Sequence, residues 1–128
     1  MDHNRKLERD VMKLLLQGEH LKLQILAQQF ALATLENFEL TGAGFFATYN
    51  VPPTAPRLDH GGHLHIGDVI AELKGLRHGA GFVLHVKNGT IDFLEGYSYE
   101  EPWPAEIKDF RLMYQTRDKK RDLSCLDD

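Results

Sequence analysis

Two runs of alternating apolar and polar residues, 80–87 and 90–97, flank the dipeptide Asn88-Gly89. Such a pair predicts a two-residue type I′ hairpin, because both central residues must take positive φ and Asn-Gly tolerates this. The expected register places Lys87 opposite Thr90, Val86 opposite Ile91 and Leu84 opposite Phe93. One face would then carry Ala80, Phe82, Leu84 and Val86 against Ile91, Phe93, Glu95 and Tyr97. The other would carry Val83, His85 and Lys87 against Thr90, Asp92 and Leu94. On this register Glu95 sits on the apolar face and His85 faces Asp92.

Ahead of the hairpin the period is helical. Residues from about 4 to 17 carry a stripe of Leu7, Val11, Leu14 and Leu15, with Arg5, Glu8, Arg9 and Lys13 outside it. Gly18 supplies a stop. A second helix, from about 20 to 34, presents Leu23, Leu26, Ala27, Phe30 and Ala33. Leu21, Ile25 and Leu32 widen that stripe, which leaves Lys22, Gln24, Gln28 and Gln29 for solvent.

From Phe38 the period becomes two. Phe38 and Leu40 point one way, and Gly42-Ala43-Gly44 reads as a bulge after which Phe45, Ala47, Tyr49 and Val51 point inward. Gly-Ala-Gly-Phe recurs at 79–82, as a second strand entry; without a lysine or a following helix it does not read as a phosphate loop. Val51-Pro-Pro-Thr-Ala-Pro56 ends a strand and 57–65 reads as loop. Residues 67–74 alternate again with Val69, Ala71 and Leu73 inward. Glu100-Glu-Pro-Trp-Pro104 predicts a corner pinned by the buried ring of Trp103, and Phe110, Leu112 and Tyr114 end the pattern at strand spacing.

The expected architecture is α+β: two N-terminal helices packed on one face of an antiparallel meander sheet of about five strands. It forms a single domain over residues 1–116, and the charged stretch 117–128 is expected to fray. Phe46, Ile70, Val83 and Leu94 share outward parity, an apolar strip that suits a homodimer or partner interface.

Composition narrows the options. Net charge is −4, with Asp and Glu 19 against Lys and Arg 15, which argues against gripping a nucleic-acid backbone. The single Cys125 has no internal partner, so a reducing cytoplasm is expected. The opening Met-Asp-His-Asn-Arg-Lys runs into an amphipathic segment rather than a signal peptide, and no apolar run is long enough for a bilayer.

Four constellations bear on chemistry. His60, His63 and His65 lie close in sequence, and imidazoles suit zinc, yet their spacing matches no defined metal signature. They read as a solvated glycine-rich loop, and no cofactor is expected. His85 with Asp92 reads as a cross-strand surface pair. Glu95, Glu100, Glu101, Glu106 and Asp109 form an acidic run near Trp103 that reads as a solvated edge. Glu95 itself, if buried, needs a hydrogen-bonding partner or must keep its proton. It would either accept backbone N–H groups at 79–81 or line a pocket between helices and sheet as a base or cation ligand. A bulge at Gly96 or Gly81 would turn it to solvent and end both readings.

Thr41-Gly-Ala-Gly-Phe-Phe, Val51-Pro, Gly67-Asp-Val, His78-Gly-Ala-Gly-Phe, Leu94-Glu-Gly-Tyr and Trp103-Pro104, in this order, resemble a family of small uncharacterised bacterial proteins. The likeness covers about residues 10–114 and implies no reaction. In size, acidity and fold class the chain is also broadly similar to immunity proteins that block a toxin. The expected function is therefore a non-enzymatic binding or interaction protein of the immunity or inhibitor kind. Glu95, Phe46, Ile70, Val83, Leu94 and Trp103 are its candidate binding residues. The alternative is a small enzyme or ligand-binding domain using Glu95 or the His60, His63 and His65 loop.

Overall fold

The Asn88-Gly89 turn forms as its residues require, with φ of 51° at Asn88 and 79° at Gly89. The computed structural model describes residues 3–59 and 61–127. Its elements are α1 (His3–Leu15), α2 (Leu21–Leu32), β1 (Thr34–Leu40), β2 (Gly44–Asn50), β3 (His63–Ile66), β4 (Val69–Leu73), β5 (Ala80–Lys87), β6 (Thr90–Ser98) and β7 (Phe110–Tyr114). The α+β class holds. The sheet is antiparallel throughout, with seven strands among the described residues rather than about five.

The strand order is β1-β2-β6-β5-β4-β7, with β3 also paired to β5, so the sheet is not a plain meander. Since β2 lies beside β6, the proline-rich stretch after it must cross beneath the hairpin tip to reach β3. Backbone bonds fix that crossing: Leu58 N–H donates to the Gly89 carbonyl at 3.0 Å and Asn88 N–H to the Gly62 carbonyl at 2.8 Å. The part of the expected loop that covers 63–66 is the strand β3. Its alternation is short but clean, with Leu64 and Ile66 buried and His63 and His65 exposed. Gly42-Ala43 is likewise a hairpin loop rather than a bulge, since Leu40 of β1 faces Phe45 of β2. Phe45, Ala47 and Tyr49 do point inward.

The central hairpin departs from its expected register after two pairs. Lys87 opposes Thr90 and Val86 opposes Ile91, but His85 then opposes Phe93 and Leu84 opposes Leu94. Asp92 is the extra residue of a β-bulge, and one added residue reverses the parity of everything beyond it. Leu94 and Gly96 turn inward; Phe93, Glu95 and Tyr97 turn outward. The physical reason is visible in the core. The bulge exchanges a carboxylate for a leucine on the buried face, which avoids the cost of an unpaired internal charge. It also brings Gly96 under the Phe45 ring, where a Cβ would collide with ring carbons.

The core lies between the helices and the inward face. Leu7, Val11, Met12 and Leu15 of α1 and Leu23 and Leu26 of α2 pack with Phe45, Phe82, Leu84 and Leu94. Trp103 closes one end, as expected, buried edge-on against Phe45 with its indole N–H donating to Asn4 Oδ1 at 3.1 Å. Two polar residues expected in solvent are fully buried. Glu8 pairs with Arg5 at 2.6 Å and accepts the Tyr49 hydroxyl proton, which ties α1 to β2. Gln29 donates to the Pro56 and Gly89 carbonyls at 2.9 and 2.8 Å and accepts from Ile91 N–H at 2.9 Å.

Of the stretch 117–128 expected to fray, residue 128 lies outside the described residues, and 117–127 makes tertiary contacts. Arg121 makes a two-toothed ion pair with Asp68, at 2.7 and 2.9 Å, and donates to the Leu15 and Gln17 carbonyls at the end of α1. Its guanidinium also lies over the Tyr114 ring, and Leu126 is buried. Among the described residues no helix is long and apolar enough to cross a membrane.

Candidate functional site

With α1 and α2 on one face, the outward residues of the central strands form the other. Their alternation follows from the two-residue strand period. Phe46, Thr48, Val83, His85, Phe93, Glu95 and Tyr97 are all partly buried, none fully. Two cross-strand rows order them. Phe46 of β2 pairs with Glu95 of β6, which pairs with Val83 of β5. In the next row Thr48 pairs with Phe93, Phe93 with His85, and His85 with His65 of β3.

The second row is a chain of rings. His85 stacks on Phe93 with centroids 4.1 Å apart and planes 14° apart, and His65 meets it edge-on at 4.8 Å. His63 follows His65 at 6.1 Å, and Phe46 stands edge-on to Phe93 at 5.7 Å. Across the rows, His85 Nε2 lies 3.3 Å from Glu95 Oε1, with the two side chains 23% and 35% exposed. An imidazole held between two rings and a carboxylate is fixed in orientation and still open to solvent. Such a pair can exchange hydrogen bonds or a proton with a ligand, and the flanking phenyl rings offer apolar contact and faces that attract cations.

Burial acts on the neighbouring phenol: it pushes the Tyr97 hydroxyl above the usual tyrosine range, with further contributions from Tyr99 and Glu95. The Tyr97 and Tyr99 rings meet edge-on at 5.5 Å.

Several expected site residues converge here. Phe46, Val83 and Glu95 lie together, and β3 brings His63 and His65 onto the same face. Ile70 also faces outward, but in β4, opposite Gly81 and Met113, toward the other end of the sheet. Leu94 is not part of the strip; the Asp92 bulge places it in the core, and Phe93 takes its position outside. Trp103 is likewise core. The internal roles considered for Glu95 fail for the same reason, since the bulge turns it to the surface. His85 meets Glu95 and Phe93 rather than Asp92. His60 lies outside the described residues. Among the described residues no group of three His, Cys, Asp or Glu side chains is arranged to hold a metal ion.

Sequence reasoning missed Phe93 and the joining of two constellations that it treated separately. The alternation of His63-Leu64-His65-Ile66 was an available signal for β3. The bulge had none, because an aspartate at such a position has no distinctive spacing. No protein-family model, curated protein or solved structure matches the chain, so function rests on the site itself.

Proposed function

We propose that this is a non-enzymatic binding protein of the immunity or inhibitor kind, which takes a protein partner on the helix-free face of its sheet. The observation that carries the reading is the cluster of Phe93, His85 and Glu95 on the central hairpin with Phe46 on the adjoining β2, all partly exposed. Anchoring aromatics beside a few oriented polar groups is the usual composition of an energetic interface centre. The Glu95 carboxylate, with Glu39 in the same row at the β1 edge, favours a partner that offers a basic side chain next to an apolar one. The acidic chain as a whole would steer such a partner toward it.

The test compares wild type with Phe46→Lys and Val83→Lys, each checked by circular dichroism for an unchanged fold. A protein retained from native lysate by wild type, lost from both variants and binding again when purified alone, supports the reading. Identical retention by all three proteins would refute it. Light scattering addresses a homodimer through the same face: a wild-type dimer that Val83→Lys converts to monomer would identify the partner as a second copy. The 3.3 Å His85–Glu95 contact also favours a second reading, a small enzyme or ligand-binding domain using that pair. It requires that His85→Phe, which keeps the stacking, abolish a turnover or small-molecule affinity found in wild type.

A further inference from the structure

At the far end of the outward face, β4, β7 and the loop 74–79 enclose an open cleft of about 650 Å³. That volume is within the range of small-molecule sites, roughly 300–1,000 Å³. Four cationic side chains line it, Lys74, Arg77, Arg111 and Arg117, against two carboxylates, Glu72 and Asp109. The balance is opposite to that of the chain, which carries a net −4. Arg111 has Glu72 at 3.5 Å, and Arg77 lies near the Glu101 carboxylate, whose charge it favours. Arg117 reaches the Met113 sulfur instead. The walls include Tyr99, Phe110 and Met113, which give an apolar and aromatic lining beside the charges.

The rim adds a third carboxylate, which leaves the four cations still in excess. The adjacent backbone N–H groups of Arg77 and His78 converge on one carboxylate, that of Glu101, at 2.9 and 3.0 Å. Those bonds hold the Glu101 carboxyl below the usual range. Successive N–H groups aimed at one point form a concavity suited to an anion; Glu101 fills it, so the guanidinium and ammonium groups of the cleft are the donors left for a ligand. A guanidinium matches the paired oxygens of carboxylate or phosphate with a planar fork of donors.

From these observations we infer that the cleft binds a small organic anion, with a phosphate or carboxylate group held by the arginines and an apolar or aromatic body against Tyr99 and Met113. This site is separate from the proposed protein interface, so either can fail alone.

The test is a titration of the full-length protein followed by amide chemical shifts, with phenyl phosphate, benzoate and neutral benzyl alcohol as probes. Saturable shifts confined to residues 70–80 and 109–117 with an anionic probe are expected. Tighter binding of phenyl phosphate identifies the group as phosphate, and tighter binding of benzoate identifies carboxylate. Arg77→Gln and Arg111→Gln, both at exposed positions, should each weaken binding at least about fivefold, in line with loss of a charge-assisted hydrogen bond. Phe46→Lys should bind the probe as wild type does. The inference is overturned if neither anion shifts the cleft at about 10 mM, where a millimolar site is nearly filled. Equal shifts with benzyl alcohol, or unchanged affinity in both arginine variants, overturn it as well.

Discussion

Replacing Gln29 by alanine tests whether a single buried amide holds the hairpin tip, the proline-rich crossing and α2 together. Gln29 is fully buried, and its three bonds reach Pro56, Gly89 and Ile91. The losses are unequal. Gly89 keeps a partner, because its carbonyl also accepts from Leu58 N–H at 3.0 Å. Pro56 is exposed enough for water to reach. The Ile91 N–H is left buried without an acceptor, which costs about 1–3 kcal/mol. Lost packing of the side-chain methylenes adds roughly 1 kcal/mol. A total of about 2–4 kcal/mol is a large share of the ~5–15 kcal/mol that stabilises a typical domain. With a urea slope of about 1–3 kcal/mol per molar, the unfolding midpoint should fall by roughly 1–2 M. The Ile91 and Leu58 amides should also exchange faster. Gln28→Ala, one position away and exposed, is the control and should stay within ~0.5 kcal/mol of wild type. The reasoning is refuted if Gln29→Ala loses no more than that, or if the two variants lose the same amount.

Two further predictions concern the other buried polar groups. Arg121→Ala should lower stability by about 3 kcal/mol in a urea melt, because it strands Asp68, only 13% exposed, and the Leu15 and Gln17 carbonyls. Arg121→Lys should recover little, since an ammonium cannot make the forked pair; a chain truncated after residue 116 that melts like the full protein would restore the frayed-tail picture. Burial first, and then the Glu8 carboxylate, raise the Tyr49 hydroxyl far above the usual tyrosine range. A raised folded value means stability is intact below the unfolded tyrosine value of about 10 and declines as pH rises beyond it. Tyr49→Phe should therefore flatten the alkaline limb of a stability–pH curve while costing about 1–3 kcal/mol at neutral pH, where Glu8 loses a donor; an alkaline limb identical to wild type would exclude this role.

Much of the fold is readable from local pattern. Both helices, the Asn88-Gly89 turn, the inward set Phe45, Ala47 and Tyr49, the burial of Trp103 and the last strand all follow from spacing and turn chemistry. Each depends on residues within a few positions of one another, where the backbone period alone decides which side chains share a face. The candidate site was readable only in pieces: Phe46, Val83 and Glu95 were singled out, and so were the histidines, but as unrelated features. Leu94 was chosen where Phe93 belongs.

Those differences have a common origin. Position along the chain cannot express the exchange that produced the Asp92 bulge, in which Leu94 is buried, Glu95 is expelled and Gly96 is pressed against Phe45. Its energy comes from residues about fifty positions apart. Glu8 and Gln29 lie on polar-looking helix positions and enter the core only because Tyr49 and the hairpin tip arrive to bond them. His65 and His85 become neighbours only when the chain crosses beneath the hairpin and β3 pairs with β5. By itself the sequence determined periods, turns and the inward sets of single strands, since these are properties of a short stretch of backbone. Register beyond the bulge, strand order and the gathering of Phe46, Phe93, His65, His85 and Glu95 on one face were decided by tertiary structure, because each is settled by the burial and hydrogen-bonding of partners distant in the chain.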